Sequence, residues 1–135
     1  MNSFEKSQVT VMSGGFISTL QRVKEQINLK YFLREYEKDE IRQIVEFCNI
    51  ITDVLTLPPE TVITINGEQR YASHVQEVYE QLDERHLETV LENINSVTYK
   101  IKHPKTYIRA ALYNSFFEIE NIGANETNVR STEND

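Results

Sequence analysis

What the sequence holds little of narrows the possibilities first. Its 135 residues contain one cysteine, no tryptophan, three prolines and four glycines. A lone thiol, Cys48, excludes an internal disulfide, and its place within an apolar run makes it a core side chain in a reducing compartment. Cations are scarce as well: 14 Lys and Arg face 21 Asp and Glu, for a net charge of −7. Non-specific affinity for nucleic acid comes from many Lys and Arg contacts that release counterions, so an indiscriminate polyanion binder is excluded and any such contact must use a local patch. No apolar run approaches the ~18 residues that suggest a membrane crossing, and the N-terminus lacks a basic start followed by an apolar stretch. A cytoplasmic protein without membrane contact is expected.

The chemical motifs are missing too. There is no Gly-rich phosphate loop, nucleophile elbow or HExxH. The histidines, His74, His86 and His103, are neither grouped with cysteine nor paired at ligand spacing, and metal binding needs three or four convergent ligands. Paired carboxylates such as Glu35 and Glu37, or Glu118 and Glu120, read as solvated faces. No catalytic, cofactor-binding or metal-binding residue is therefore assigned, and a non-catalytic interaction module is expected.

What is present is enough for one core. With 39% apolar and 26% charged residues, the chain has the apolar surface to offset the entropy of ordering, at the size of one domain. A flexible arm at 1–15, ending in Ser13-Gly14-Gly15, a helical domain at 16–120 and a disordered tail at 121–135 are expected. Phe16, Ile17, Leu20, Val23 and Ile27 recur at helical spacing, and their stripe covers either this core or a second copy of the chain. Asn28 is placed to cap a short helix through Tyr36 by accepting from free first-turn amides. Ile41, Ile44, Val45, Cys48, Ile51 and Leu55, widened by Phe47, Ile50 and Val54, mark a central helix that Pro58-Pro59 stops.

A β-branched run, Thr61 to Ile65, followed by Asn66-Gly67 predicts a hairpin returning through Glu68 to Tyr71. Ser73 and Gln76 have capping-box spacing before a helix carrying Val75, Val78, Tyr79 and Leu82. Asp83 caps the next, with Leu87, Val90, Leu91, Ile94 and Val97, and Pro104 opens the last, through Tyr107, Ile108, Ala111, Leu112, Phe116 and Ile119. The fold class is mainly α: a compact bundle of about five to six helices with one small β-hairpin.

From about Val23 to Ile119 the order of these features resembles the C-terminal domain of replication initiator A proteins from plasmids and integrative elements of low-GC Gram-positive bacteria. The pieces are Lys24-Glu25-Gln26-Ile27-Asn28, Ile63-Thr64-Ile65-Asn66-Gly67, His86 to Leu91, Ile101-Lys102-His103-Pro104-Lys105-Thr106-Tyr107-Ile108 and Ala111-Leu112-Tyr113-Asn114. The resemblance implies a domain distantly like the DnaD-type helical domains of replication restart, docking host replication proteins such as primase or the helicase-loading machinery. The winged-helix, origin-binding domain that normally precedes it in such initiators exceeds the length of Met1 to Gln26.

Two groups of residues are candidates for contact. Lys100, Lys102, His103, Lys105 and Arg109 form a basic run beside Tyr99 and Tyr107; it would hold single-stranded DNA through phosphate pairing and base stacking, or it is a solvated loop with Tyr107 in the core. Tyr113, Asn114 and Phe117 lie on a different face of the last helix from Ile108, Leu112 and Ile119, so that face is either enclosed or offered to a partner.

Overall fold

A computed structural model describes backbone elements from residue 3 to residue 134 and side chains from residue 15 to residue 119. Apart from Gly15, the arm expected at 1–15 and the tail expected at 121–135 lie outside the residues described with side chains. Among the described residues are six helices and a two-stranded hairpin: α1 (Ser3–Gln26), α2 (Leu29–Glu35), α3 (Lys38–Leu55), β1 (Val62–Ile65), β2 (Glu68–Tyr71), α4 (Ala72–Tyr79), α5 (Glu84–Ser96) and α6 (Pro104–Asn134). The fold is mainly helical, as the periodicity predicts.

Helix α3 is the axis of the molecule, because apolar residues on more than one of its faces must all be covered. It buries Ile44, Phe47, Cys48, Ile50, Ile51 and Val54, and each of the other five helices packs against it. Thr52, also buried, satisfies its hydroxyl by donating to the Cys48 carbonyl at 2.7 Å. Val23 and Ile27 from α1 and the turn after it, Phe32 from α2, Ile63 and Ile65 from β1, Val75 and Tyr79 from α4, Leu87 and Leu91 from α5, and Leu112 from α6 are among the other core residues. The Phe16 to Ile27 stripe thus turns largely inward: Val23 and Ile27 are sealed and Leu20 is half-buried, while Ile17 stays exposed.

Local signals set most boundaries. Glu37 and Glu40 form a reciprocal capping box at the start of α3. Asp83 accepts from the Arg85 amide at 3.0 Å, and His86 Nδ1 accepts from the Asp83 amide at 2.9 Å, so α5 begins directly after the cap that the sequence predicts. In the hairpin, Asn66 (φ 57°) and Gly67 (φ 77°) take the positive dihedrals of a two-residue turn and set the pairing of Val62 with Tyr71 and Ile65 with Glu68.

Two expected caps are absent. Asn28 precedes α2 in the left-handed conformation and its side chain caps nothing, because the tight passage from α1 to α2 uses its backbone instead. Helix α4 starts at Ala72 with Tyr71 as its N-cap, so Ser73 and Gln76 form no capping box. Gln76 instead closes the end of α3, where its amide donates to the Val54 and Leu57 carbonyls at 3.0 and 2.9 Å. Gln26 acts likewise, donating to the Tyr79 and Leu82 carbonyls at 2.9 and 2.8 Å at and just after the end of α4.

Candidate functional site

The second face of α6 has an occupant within the molecule. Helix α4 and strand β1 pack on α6, and the turn reaches it through paired amides, Asn66 donating to Asn114 at 2.8 Å and Asn114 to Asn66 at 3.3 Å. Tyr113 is only 5% exposed. Its hydroxyl lies 3.1 Å from His74 Nε2, and the Arg70 guanidinium sits over its ring, 5.1 Å from the centroid. Phe117 alone of the three candidates is exposed, with its ring 5.1 Å from that of Tyr113 and 5.2 Å from that of Phe116. The expected partner surface of Tyr113, Asn114 and Phe117 is corrected on this point. Two of its members fix the protein's own hairpin, since a face rich in aromatics is satisfied as well by an internal neighbour as by an external one.

The basic run is at the surface. Helix α5 ends at Ser96 with Val97 extended, and the chain runs to Pro104 without regular structure, so Tyr99, Lys100, Lys102, His103 and Lys105 are all exposed. Tyr99 is the most exposed large apolar side chain among the described residues, at 63%. Tyr107 is half-buried on the first turns of α6, and interaction with the Tyr99 side chain, together with desolvation, raises its pKa above the ordinary tyrosine value. Between the two tyrosines lies an open cleft of about 430 Å³, lined also by Lys100, Ile101, Lys102, His103 and Thr106. Sequence spacing puts Tyr99 and Tyr107 on either side of the lysines; only the change of direction before Pro104 brings both to the lining of one cleft.

Arg109 departs from the rest of the run. It is half-buried, its carbonyl accepts from the Tyr79 hydroxyl at 2.7 Å, and its positive charge opposes the upward shift that burial imposes on Tyr79. The residue therefore serves the α4–α6 contact, and the surface patch consists of Lys100, Lys102, His103 and Lys105.

A further polar cluster is invisible to local spacing. Glu88 on α5 accepts from the hydroxyls of Tyr31 (3.0 Å) and Tyr36, which tie α2 to α5 across the bundle. Hydrogen bonding to the carboxylate, with desolvation, raises the pKa of both phenols. The signal in the sequence is the Tyr31 and Tyr36 pair, one on a short helix and one at its end, but its acceptor lies 52 residues beyond Tyr36.

Cys48 is buried, and burial pushes its thiol up to about 12, so it stays protonated and unreactive. Among the described residues no three of His, Cys, Asp and Glu gather as a metal site, and no helix is long and apolar enough to cross a membrane.

No curated protein and no solved structure matches the chain. A family model does, over residues 5–130, that is, the bundle described above with both of its candidate surfaces. The chain belongs to that family, which is described as a Family of unknown function (DUF6017).

Proposed function

We propose that this protein is a non-catalytic, cytoplasmic interaction module of plasmid or mobile-element replication, and that it docks a host replication protein, primase or a component of the helicase-loading machinery. The observation that carries this reading is the cleft beside Tyr99. Once the core is complete, a large aromatic ring and four cationic or ionisable side chains remain in solvent at the junction of α5 and α6. Exposed aromatics held by a rigid scaffold are the usual anchors of protein interfaces. The replication context rests on the resemblance to replication initiator A proteins, carried by the segment from Ile101 to Asn114.

One observation favours a second reading, in which the same patch holds single-stranded DNA. Tyr99 and Tyr107 lie together with lysines around them, the pairing of stacking surface and phosphate neutralisation that single-strand binders use.

Titration of purified host primase, helicase loader and fluorescent single-stranded DNA against the chain, at low and high salt, separates the two. Docking predicts a protein complex that keeps most of its affinity as salt rises, whereas a DNA complex weakens steeply. If neither protein binds and DNA does, the docking reading fails.

A further inference from the structure

We propose that the cleft between residues 97–103 and the first turns of α6 receives an acidic peptide segment that carries one large apolar side chain. This rests on the docking reading above and names the chemistry of the docked partner.

Charge complementarity is the first support. From Asn93 to Phe117 the sequence contains no Asp or Glu, although the whole chain has 21 of them. That acid-free stretch places Lys100, Lys102 and His103 on the lining of one opening, with Lys105 exposed on the next residue but one of the chain. The first amides of α6, which lack intrahelical acceptors, begin at the same place, beside His103, and favour a carboxylate by the helix dipole.

The cleft supplies the apolar half. Its volume of about 430 Å³ is near the small end of ligand clefts, which span about 300–1,000 Å³, so it has room for an aromatic or large aliphatic side chain between Tyr99, Ile101 and Tyr107. Closing over such a chain would remove the exposed Tyr99 ring from water, and apolar area removed from water drives association.

A long polyanion is less well served. The molecule as a whole is acidic, with a net charge of −7, and Asp and Glu return on either side of the stretch, at Glu92 and Glu118. A phosphate backbone much longer than the cleft would meet the like charge of the rest of the chain, whereas a short segment whose carboxylates end at the lysines would not.

The test uses the full chain and a fluorescein-labelled peptide of aspartates and glutamates with one central phenylalanine. Controls are the same peptide with alanine at the centre and an oligothymidylate of equal charge. The phenylalanine peptide is expected to bind about tenfold more tightly than the alanine peptide, and more tightly than the oligonucleotide. Lys102→Glu with Lys105→Glu should abolish binding and Tyr99→Ala should weaken it about fivefold or more, with far-UV dichroism unchanged because all three side chains are exposed. Equal binding of both peptides, no binding of either, or preference for the oligonucleotide overturns the proposal.

A parallel titration of intact primase and helicase loader keeps the two readings apart. A protein complex indifferent to the lysine exchange leaves docking in place and removes the acidic-peptide site. Peptide binding with no complex of either protein does the reverse.

Discussion

At the scale of single residues, side chains whose partners are distant in sequence do much of the joining. Gln76 and Gln26 each satisfy two carbonyls at the end of a helix to which they do not belong. Gln76→Ala leaves those of Val54 and Leu57 without their donor in a part-buried place, so a loss of about 1–3 kcal/mol is expected. Thermal or urea denaturation measures it; a variant as stable as the parent would show that water replaces the amide freely. Cys48 gives a chemical prediction. With its thiol held up at about 12 and enclosed, the native protein should resist an aromatic disulfide reagent at pH 8 until it is unfolded, when one equivalent reacts. Rapid labelling of the folded chain would contradict the packing around α3. Position and polarity of these residues were plain from the sequence, but a glutamine's acceptors were not, because its reach crosses elements that spacing alone does not bring together.

At the scale of elements, caps decide where helices begin, and one of them carries a pH dependence. Burial opposes ionisation of Asp83, but its hydrogen bonds from the side chain and amide of Arg85 and the charge of Arg85 outweigh this, so its pKa is lowered in the fold. A depressed carboxylate contributes stability above its unfolded pKa and loses it as pH falls through the folded value. The window lies below the ordinary aspartate value of 3.8. Asp83→Asn keeps a capping oxygen and should change stability little near neutrality, while the melting midpoint of the variant should fall less than that of the parent between about pH 5 and about pH 2. Parallel acid profiles would mean that the carboxylate charge has no part in the cap. The start of α5 at Glu84, after the Asp83 cap, and of α6 at Pro104 were legible because the deciding group sits at the boundary itself. The start of α4 was not, because strand β2 runs directly into it and leaves no room for a Ser73 cap.

At the scale of the whole molecule, the arrangement around α3 predicts a sharp contrast between inside and outside. Ile44 is fully buried and Leu91 nearly so, so Ile44→Asp or Leu91→Asp puts an unpaired carboxylate in the core at a cost of several kcal/mol and should unfold the domain. A native dichroism spectrum and an unchanged melting midpoint would sink the core assignment. What the sequence by itself determined is the helical class, the hairpin with its Asn66-Gly67 turn and most of the buried set. These follow from apolar periodicity and from local backbone preference, which act over a few residues. Only the tertiary structure decided which faces remain free. Tyr113 and Asn114 have the composition of a contact surface, yet Tyr113 is buried and Asn114 is tied to the hairpin turn; Tyr99 and Tyr107 stand eight positions apart and line one cleft. The physical reason is that exposure depends on what else occupies the space, and packing partners are chosen by the summed burial of every element at once.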